Sequence, residues 1–164
     1  MSDKVLAVIS ASAPRRVLGL GAILVLGVVA VYVALARPPE NPVWMAFLLV
    51  LGLGALWLAE RMRRATAYRL ELTRNEVRSS SGEVLARVAD VEAVERGAFA
   101  FKPSNGFMLR MRAGTDAGRR RWEPGLWWRM GRRVGVGGVT PGHQAKAMAE
   151  ILSALILEDA EAGE

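Results

Sequence analysis

The chain has 164 residues, no cysteine, one histidine and a net charge of +6. Disulfides, thiolate ligands and cysteine nucleophiles are excluded, and zinc or copper is disfavoured because both ions depend on thiolate or imidazole ligands. Some 60 residues form an apolar N-terminal part, and the roughly 100 left are enough for one compact domain but not two.

Residues 1–16 read as a short N-terminal segment ending in Arg15 and Arg16. Two uncharged apolar runs follow, Val17–Ala36 and Val43–Ala59, separated by Arg37-Pro-Pro-Glu-Asn-Pro42. A helix rising 1.5 Å per residue needs about 20 apolar residues to cross a bilayer core of roughly 30 Å. The spacing therefore predicts a transmembrane hairpin over 17–60, with helices at about 17–36 and 43–60. Arg15 and Arg16 precede the first helix, and Arg61, Arg63, Arg64 and Arg69 follow the second, whereas the loop's Arg37 is offset by Glu40. Basic residues favour the cytoplasmic side, so both termini are expected there, in an inner membrane. Ala34-Leu35-Ala36 also fits a signal-peptidase site, but the run is longer than a signal-peptide core.

Gly27, Ala30 and Ala34 in the first helix, and Gly52, Ala55 and Ala59 in the second, are small residues at close-packing spacing. The plain reading is that the two helices pack on each other; the sharper one is docking to another membrane protein. Neither apolar run, Val17–Ala36 or Val43–Ala59, contains a charged residue, which argues against a transport path.

From Arg61 to Leu157 the sequence predicts a cytoplasmic domain. Tyr68, Leu70 and Leu72 alternate with Arg69, Glu71 and Thr73, the pattern of a half-buried strand. Short strands are expected around Glu76–Arg78 and Glu83–Val88, separated by the Ser79–Gly82 turn. A helical turn from Ala89 should lead into a strand through Val94 to Phe101. Pro103–Gly106 should turn the chain into Phe107–Arg112, followed by a loop over 113–118. Arg119–Trp122 and Trp127–Met130 should be strands about a Pro124-Gly125 turn, and Arg132–Val139 a glycine-spaced strand. Thr140 is expected to cap a helix with Pro141 at its first position, and Ala145, Met148, Ala149, Leu152, Leu155 and Ile156 follow helical spacing. Residues 158–164 read as an acidic tail.

Ala67-Tyr-Arg-Leu-Glu-Leu-Thr-Arg-Asn-Glu-Val77 and Gly82-Glu-Val-Leu-Ala-Arg-Val-Ala-Asp-Val-Glu-Ala-Val-Glu95 resemble the bacterial pleckstrin-homology-like domain found behind transmembrane hairpins. Two extra residues before Thr73 depart from that pattern. The resemblance implies a small antiparallel β barrel or sandwich closed by a C-terminal helix. It also implies a docking or assembly role, although the fold fixes no single function.

Few residues point to chemistry. Asp90, Glu92 and Glu95 flank valines as a solvated strand does, rather than converging as an acid/base pair. Gly135-Val-Gly137-Gly138 lacks the third glycine and the βαβ context of a dinucleotide site. Its plain reading is a strand that another group, such as a tryptophan, lies against. His143 has no partner nucleophile in a recognisable motif.

The most distinctive stretch is basic and aromatic: Arg119, Arg120, Arg121, Trp122, Trp127, Trp128, Arg129, Arg132 and Arg133, with Arg61, Arg63 and Arg64 at the membrane exit. Ten basic residues face two acidic ones between Arg96 and Arg133. The plain reading is core tryptophans and solvated arginines. The functional reading is contact with anionic headgroups or an acidic partner. Nucleic-acid binding fits a membrane-tethered domain less well. The sequence thus leads us to expect a non-enzymatic membrane protein, either a binding or assembly factor (or accessory subunit) for another integral membrane protein or an anionic-lipid-binding module. No cofactor, metal or nucleic acid is expected.

Overall fold

In a computed structural model of the chain, residues 4–96, 105–115 and 120–162 are described. The expected strand end at Phe101, the Pro103-Ser104 half of its turn, positions 116–118, Arg119 and the last two residues fall outside them. Two long helices, α1 (Ala13–Ala36) and α2 (Pro42–Ala65), precede two antiparallel sheets and a C-terminal helix, α3 (Gly142–Ala162). One sheet has the order β1-β2-β3-β4, from Ala7–Ser10, Arg69–Leu72, Glu76–Ser79 and Val84–Arg87. A single 3₁₀ turn, Val88–Asp90, leads to the other sheet, in the order β5-β6-β9-β8-β7. Its strands are β5 (Val91–Glu95), β6 (Phe107–Met111), β7 (Arg121–Glu123), β8 (Trp127–Met130) and β9 (Arg133–Val136).

Both long helices are long and apolar enough to cross a membrane. Only 17% of the apolar window of each is buried, so they are not core helices of the domain. Their buried residues include Gly27, Ala30 and Ala34 in α1, and Gly52, Ala55 and Ala59 in α2. A Cβ on Gly27 would lie 3.1 Å from the Gly52 carbonyl oxygen, and one on Gly52 would lie 3.0 Å from that of Gly27. The small residues thus form the seam of the hairpin, and the large apolar side chains face outward. Asn41 accepts a hydrogen bond from the Val43 amide at 2.9 Å and caps α2, with Pro42 in its first turn.

The helices extend past the expected 17–36 and 43–60. Arg15 and Arg16 fall in the first turn of α1, and Arg63 and Arg64 in the last turn of α2. The latter pair complements the helix dipole. Arg15 instead donates to the Thr140 carbonyl at 3.1 Å, which ties the start of α1 to the loop before α3.

The stretch expected as a separate N-terminal segment contributes a strand to the β domain, so the domain does not begin at Arg61. Residues 7–10 form β1, which pairs with β2 in the register Ala7 with Leu72, Ile9 with Leu70, and Ser10 with Arg69. Val5-Leu-Ala-Val-Ile9 is apolar and rich in β-branched residues, which suits a strand. Ile9 is wholly buried while Val8 is exposed, the alternation of a half-buried strand. The helical hairpin is therefore inserted between two paired strands of the β domain.

One core fills the space between the sheets. Ile9, Leu70, Leu72 and Leu85 come from the first sheet, Phe107, Leu109, Trp127, Val134 and Val136 from the second, and Met148, Ala149 and Leu152 from α3. The capping prediction needs correction. α3 begins at Gly142, and its first described bond runs from the Ala145 amide to the Pro141 carbonyl at 3.2 Å. Thr140 is buried one residue earlier, with its hydroxyl directed to the Asn105 carbonyl at 3.4 Å. Glu158, Asp159 and Glu161, expected in a tail, lie within α3.

The hairpin seam predicts that Gly52→Leu lowers the thermal stability of the full chain in detergent by about 1–3 kcal/mol through overpacking. Gly54→Leu should change it little, because nothing lies within 4 Å of a Cβ there. A second expectation is that Ile9→Ala costs about 2–5 kcal/mol, measurable in the same unfolding experiment. A loose N-terminal segment would show no loss.

Candidate functional site

The domain meets the hairpin at the Pro124-Gly125 turn between β7 and β8. Gly125 has φ 84°, and a Cβ there would lie 3.2 Å from Thr66 Cγ2 and 3.3 Å from Met62 Cε. The turn is held from below by the Val139 amide, which donates to the Gly125 carbonyl at 3.0 Å. Glycine is needed on both counts: positive φ and the close approach of α2.

A cleft of about 400 Å³ opens at this junction. The end of α2 contributes Trp57, Glu60, Arg61 and Arg64. Tyr68, Ser79, Ser81 and Glu83 come from the first sheet and its turns, and Arg121, Glu123, Leu126 and Trp127 from the β7–β8 hairpin. Its charges are largely answered. Glu60 accepts from Arg63 Nε at 2.7 Å and from Arg64 Nε at 2.6 Å. Arg121 Nε lies 3.1 Å from Glu83 and 3.6 Å from Glu123. The exposed Glu60 pairs organise the surface more than they hold the fold, while Glu83 and Glu123 are half-buried.

Arg61 is the most constrained cation. Its guanidinium lies 5.5 Å from the Trp57 ring centroid and 5.8 Å from that of Trp122. Its Nη2 donates to the Trp122 carbonyl at 2.8 Å, and its Nε is buried with no acceptor. The ring faces offset that lack by attracting the cation, at about 0.5–2 kcal/mol. This stack joins the end of α2 to edge strand β7.

The basic and aromatic stretch converges in part: Arg61, Arg120, Arg121, Trp122 and Arg129 line one open cavity of about 400 Å³, whereas Trp127 and Arg132 lie apart from it. Trp122 pairs with Trp128 across β7 and β8, so the two share a face and Trp127 points the other way, into the core. Trp128 crosses Gly135, its partner in β9, where a Cβ would collide with the indole. The glycine-spaced strand is therefore a tryptophan seat. Arg129 donates to the Leu85 carbonyl at 3.3 Å and links the two sheets. Arg132 donates to the Met111 carbonyl and to Glu92, both at 3.0 Å. Arg120 and Arg133 are exposed. Of the predicted contact residues that are described, Arg61, Arg64, Arg121 and Trp127 line the cleft between α2 and the β7–β8 hairpin, and Arg63 reaches it through Glu60.

Glu92 and Glu95 both face Arg110, at 3.6 and 3.7 Å. His143 is exposed in the first turn of α3. No group of three His, Asp or Glu side chains that could hold a metal ion occurs among the described residues. Sequence reasoning missed Glu60, Tyr68, Glu83 and Glu123 as cleft residues. The Glu60-to-Arg63/Arg64 spacing of three and four on a helix was a legible signal. Glu83 reaches the cleft through tertiary structure, whereas Glu123 lies two residues from Arg121 in β7 and shares its face.

No known family model matches the chain, and no curated protein or solved structure matches it.

Burial pushes the Glu83 carboxyl above its ordinary value of 4.5. Arg121 and Arg129 pull it back, and Glu123 adds to the rise. A carboxyl raised in the folded state favours folding when protonated. Its contribution is fully present below the unfolded value and is lost as pH rises through the folded one. Glu83→Gln should therefore gain thermal stability relative to the parent as pH is raised from about 4 to about 7. Melting curves of the full chain across that range check the sign; a relative loss at neutral pH would contradict it.

Proposed function

We propose that this chain is a non-enzymatic, membrane-anchored docking module, an assembly factor or accessory subunit for another integral membrane protein. In this reading α1 and α2 span a bacterial inner membrane with both termini cytoplasmic, and the β domain is of the pleckstrin-homology-like kind.

The observation that carries the proposal is the fixed junction between hairpin and domain. The last turn of α2 rests on the Pro124-Gly125 turn, and Arg61 is held between Trp57 and Trp122. The cleft beside this junction is thereby held next to the end of an apolar helix, where a partner's cytoplasmic loop emerges from the bilayer. The pairing of β1 with β2 brings both ends of the hairpin to one side, which supports the shared orientation of the termini. Two sheets around one core, closed by a C-terminal helix, suit the pleckstrin-homology-like reading. The small residues are used up in the hairpin seam, so a partner would meet the cleft or the outward apolar faces. The arginine facing each cleft carboxylate supports a binding surface over an acid/base site.

The test is purification of the full chain in mild detergent, with Arg64→Glu and Arg133→Glu alongside. Arg64 has a largely exposed side chain, so its reversal changes the cleft without removing core packing. The expected result is a defined membrane protein in near-stoichiometric amount, at least about ten-fold depleted with Arg64→Glu and retained with Arg133→Glu. A chain that purifies alone, or the same proteins with both variants, would contradict the proposal.

A further inference from the structure

The chain leaves the β domain for its apolar helices at two places, β1 to α1 and α2 to β2. These lie side by side because Ser10 and Arg69 are paired. Between them is a second cleft of about 320 Å³, lined among others by Ser10, Arg16, Thr66, Tyr68 and Arg69. Its chemistry differs from that of the cleft beside the β7–β8 turn. No carboxylate lines it, and the Arg16 and Arg69 side chains have no hydrogen bond or ion pair with any described residue. The neighbouring Arg15 is occupied by the Thr140 carbonyl.

A groove of about 420 Å³ begins at the same Arg16. It runs along α1 over Ala13, Val17, Leu20, Gly21 and Leu24, with Arg63 of α2, held by Glu60, also lining it. Nothing lies within 4 Å of where a Gly21 Cβ would be, so the groove is open there. From Ala13 to Leu24 a helix rises about 16 Å, roughly one leaflet of a bilayer core about 30 Å thick. A cationic basin and an apolar groove one leaflet long thus share one arginine.

We infer that this pair of cavities binds a single anionic membrane phospholipid. The phosphate oxygens accept from Arg16 and Arg69, and one acyl chain lies in the α1 groove over Gly21. Two guanidinium groups without carboxylate competitors suit a phosphodiester. A zwitterionic headgroup is disfavoured because nothing in the basin answers an ammonium. The inference rests on α1 and α2 spanning a bilayer and is independent of any protein partner.

The experiment is native mass spectrometry of the full chain released from detergent, with phosphatidylglycerol, phosphatidylcholine or glycerol 3-phosphate added. The chain should retain one phosphatidylglycerol in preference to phosphatidylcholine. The double variant Arg16→Gln/Arg69→Gln should lower that retention at least about ten-fold, whereas Arg133→Gln leaves it unchanged. Gly21→Phe fills the groove without altering charge and should weaken phosphatidylglycerol retention. Equal retention by the double variant, or of phosphatidylcholine, would overturn the inference. So would displacement of the lipid by glycerol 3-phosphate at equal concentration, which would mark a free-phosphate site. Alkaline carbonate extraction separates the two levels: release from membranes overturns the spanning reading, while retention without lipid preference overturns this inference alone.

Discussion

The pairing of β1 with β2 is the constraint on which the rest depends. Ser10 and Arg69 are neighbours in the ladder, yet 58 residues, Ala11 to Tyr68, lie between them. Closing a flexible loop of that length would cost about 3–4 kcal/mol plus a constant. Here the loop is two packed helices, and the Gly27–Gly52 seam holds its ends together. Hairpin and sheet therefore stabilise one another. The Ser12 amide, bonded to the Val139 carbonyl at 2.8 Å, and Arg15, bonded to the Thr140 carbonyl, extend the same tie to the loop before α3.

That tie determines where the charged surfaces sit. A domain on a flexible linker would sample many distances from its anchor, whereas this one is held at the end of the apolar helices. The first cleft, between α2 and the β7–β8 hairpin, carries paired charges and aromatic edges suited to a protein surface. The second, between the two crossings, carries arginines without carboxylates and opens onto an apolar groove. One architecture thus presents two neighbouring surfaces of different chemistry.

Much of this was legible in the sequence, and the remainder has physical reasons for being hidden. The apolar runs announce themselves by length, and the six small residues by spacing. That some group, such as a tryptophan, lies against the glycine-spaced strand was legible, but that the pair is Trp128 on Gly135 comes from the strand register. A helical turn and then a strand are expected from Ala89; the turn begins one residue earlier, at Val88, and the strand follows at Val91–Glu95. β1 was missed because four residues are too few to show a period, and because an apolar stretch ahead of a membrane run reads as its approach. The arginine-rich stretch was legible in part: Arg61, Arg120, Arg121, Trp122 and Arg129 line one cavity, whereas Trp127 turns into the core because successive strand residues point to opposite faces. The counter-charge Glu83 depends on tertiary packing, which local pattern does not encode.

The central claim is that the hairpin is an insertion within one β domain, not an anchor attached ahead of it. Hydrogen exchange of the full chain in detergent tests this most directly, at the Leu6 amide, bonded to the Leu72 carbonyl at 2.8 Å, and at the ladder amides of β1. The account predicts protection in β1 comparable to that in β2, lost together with it as denaturant is raised. Exchange of β1 at the rate of an unstructured peptide, with β2 to β9 still protected, would contradict it.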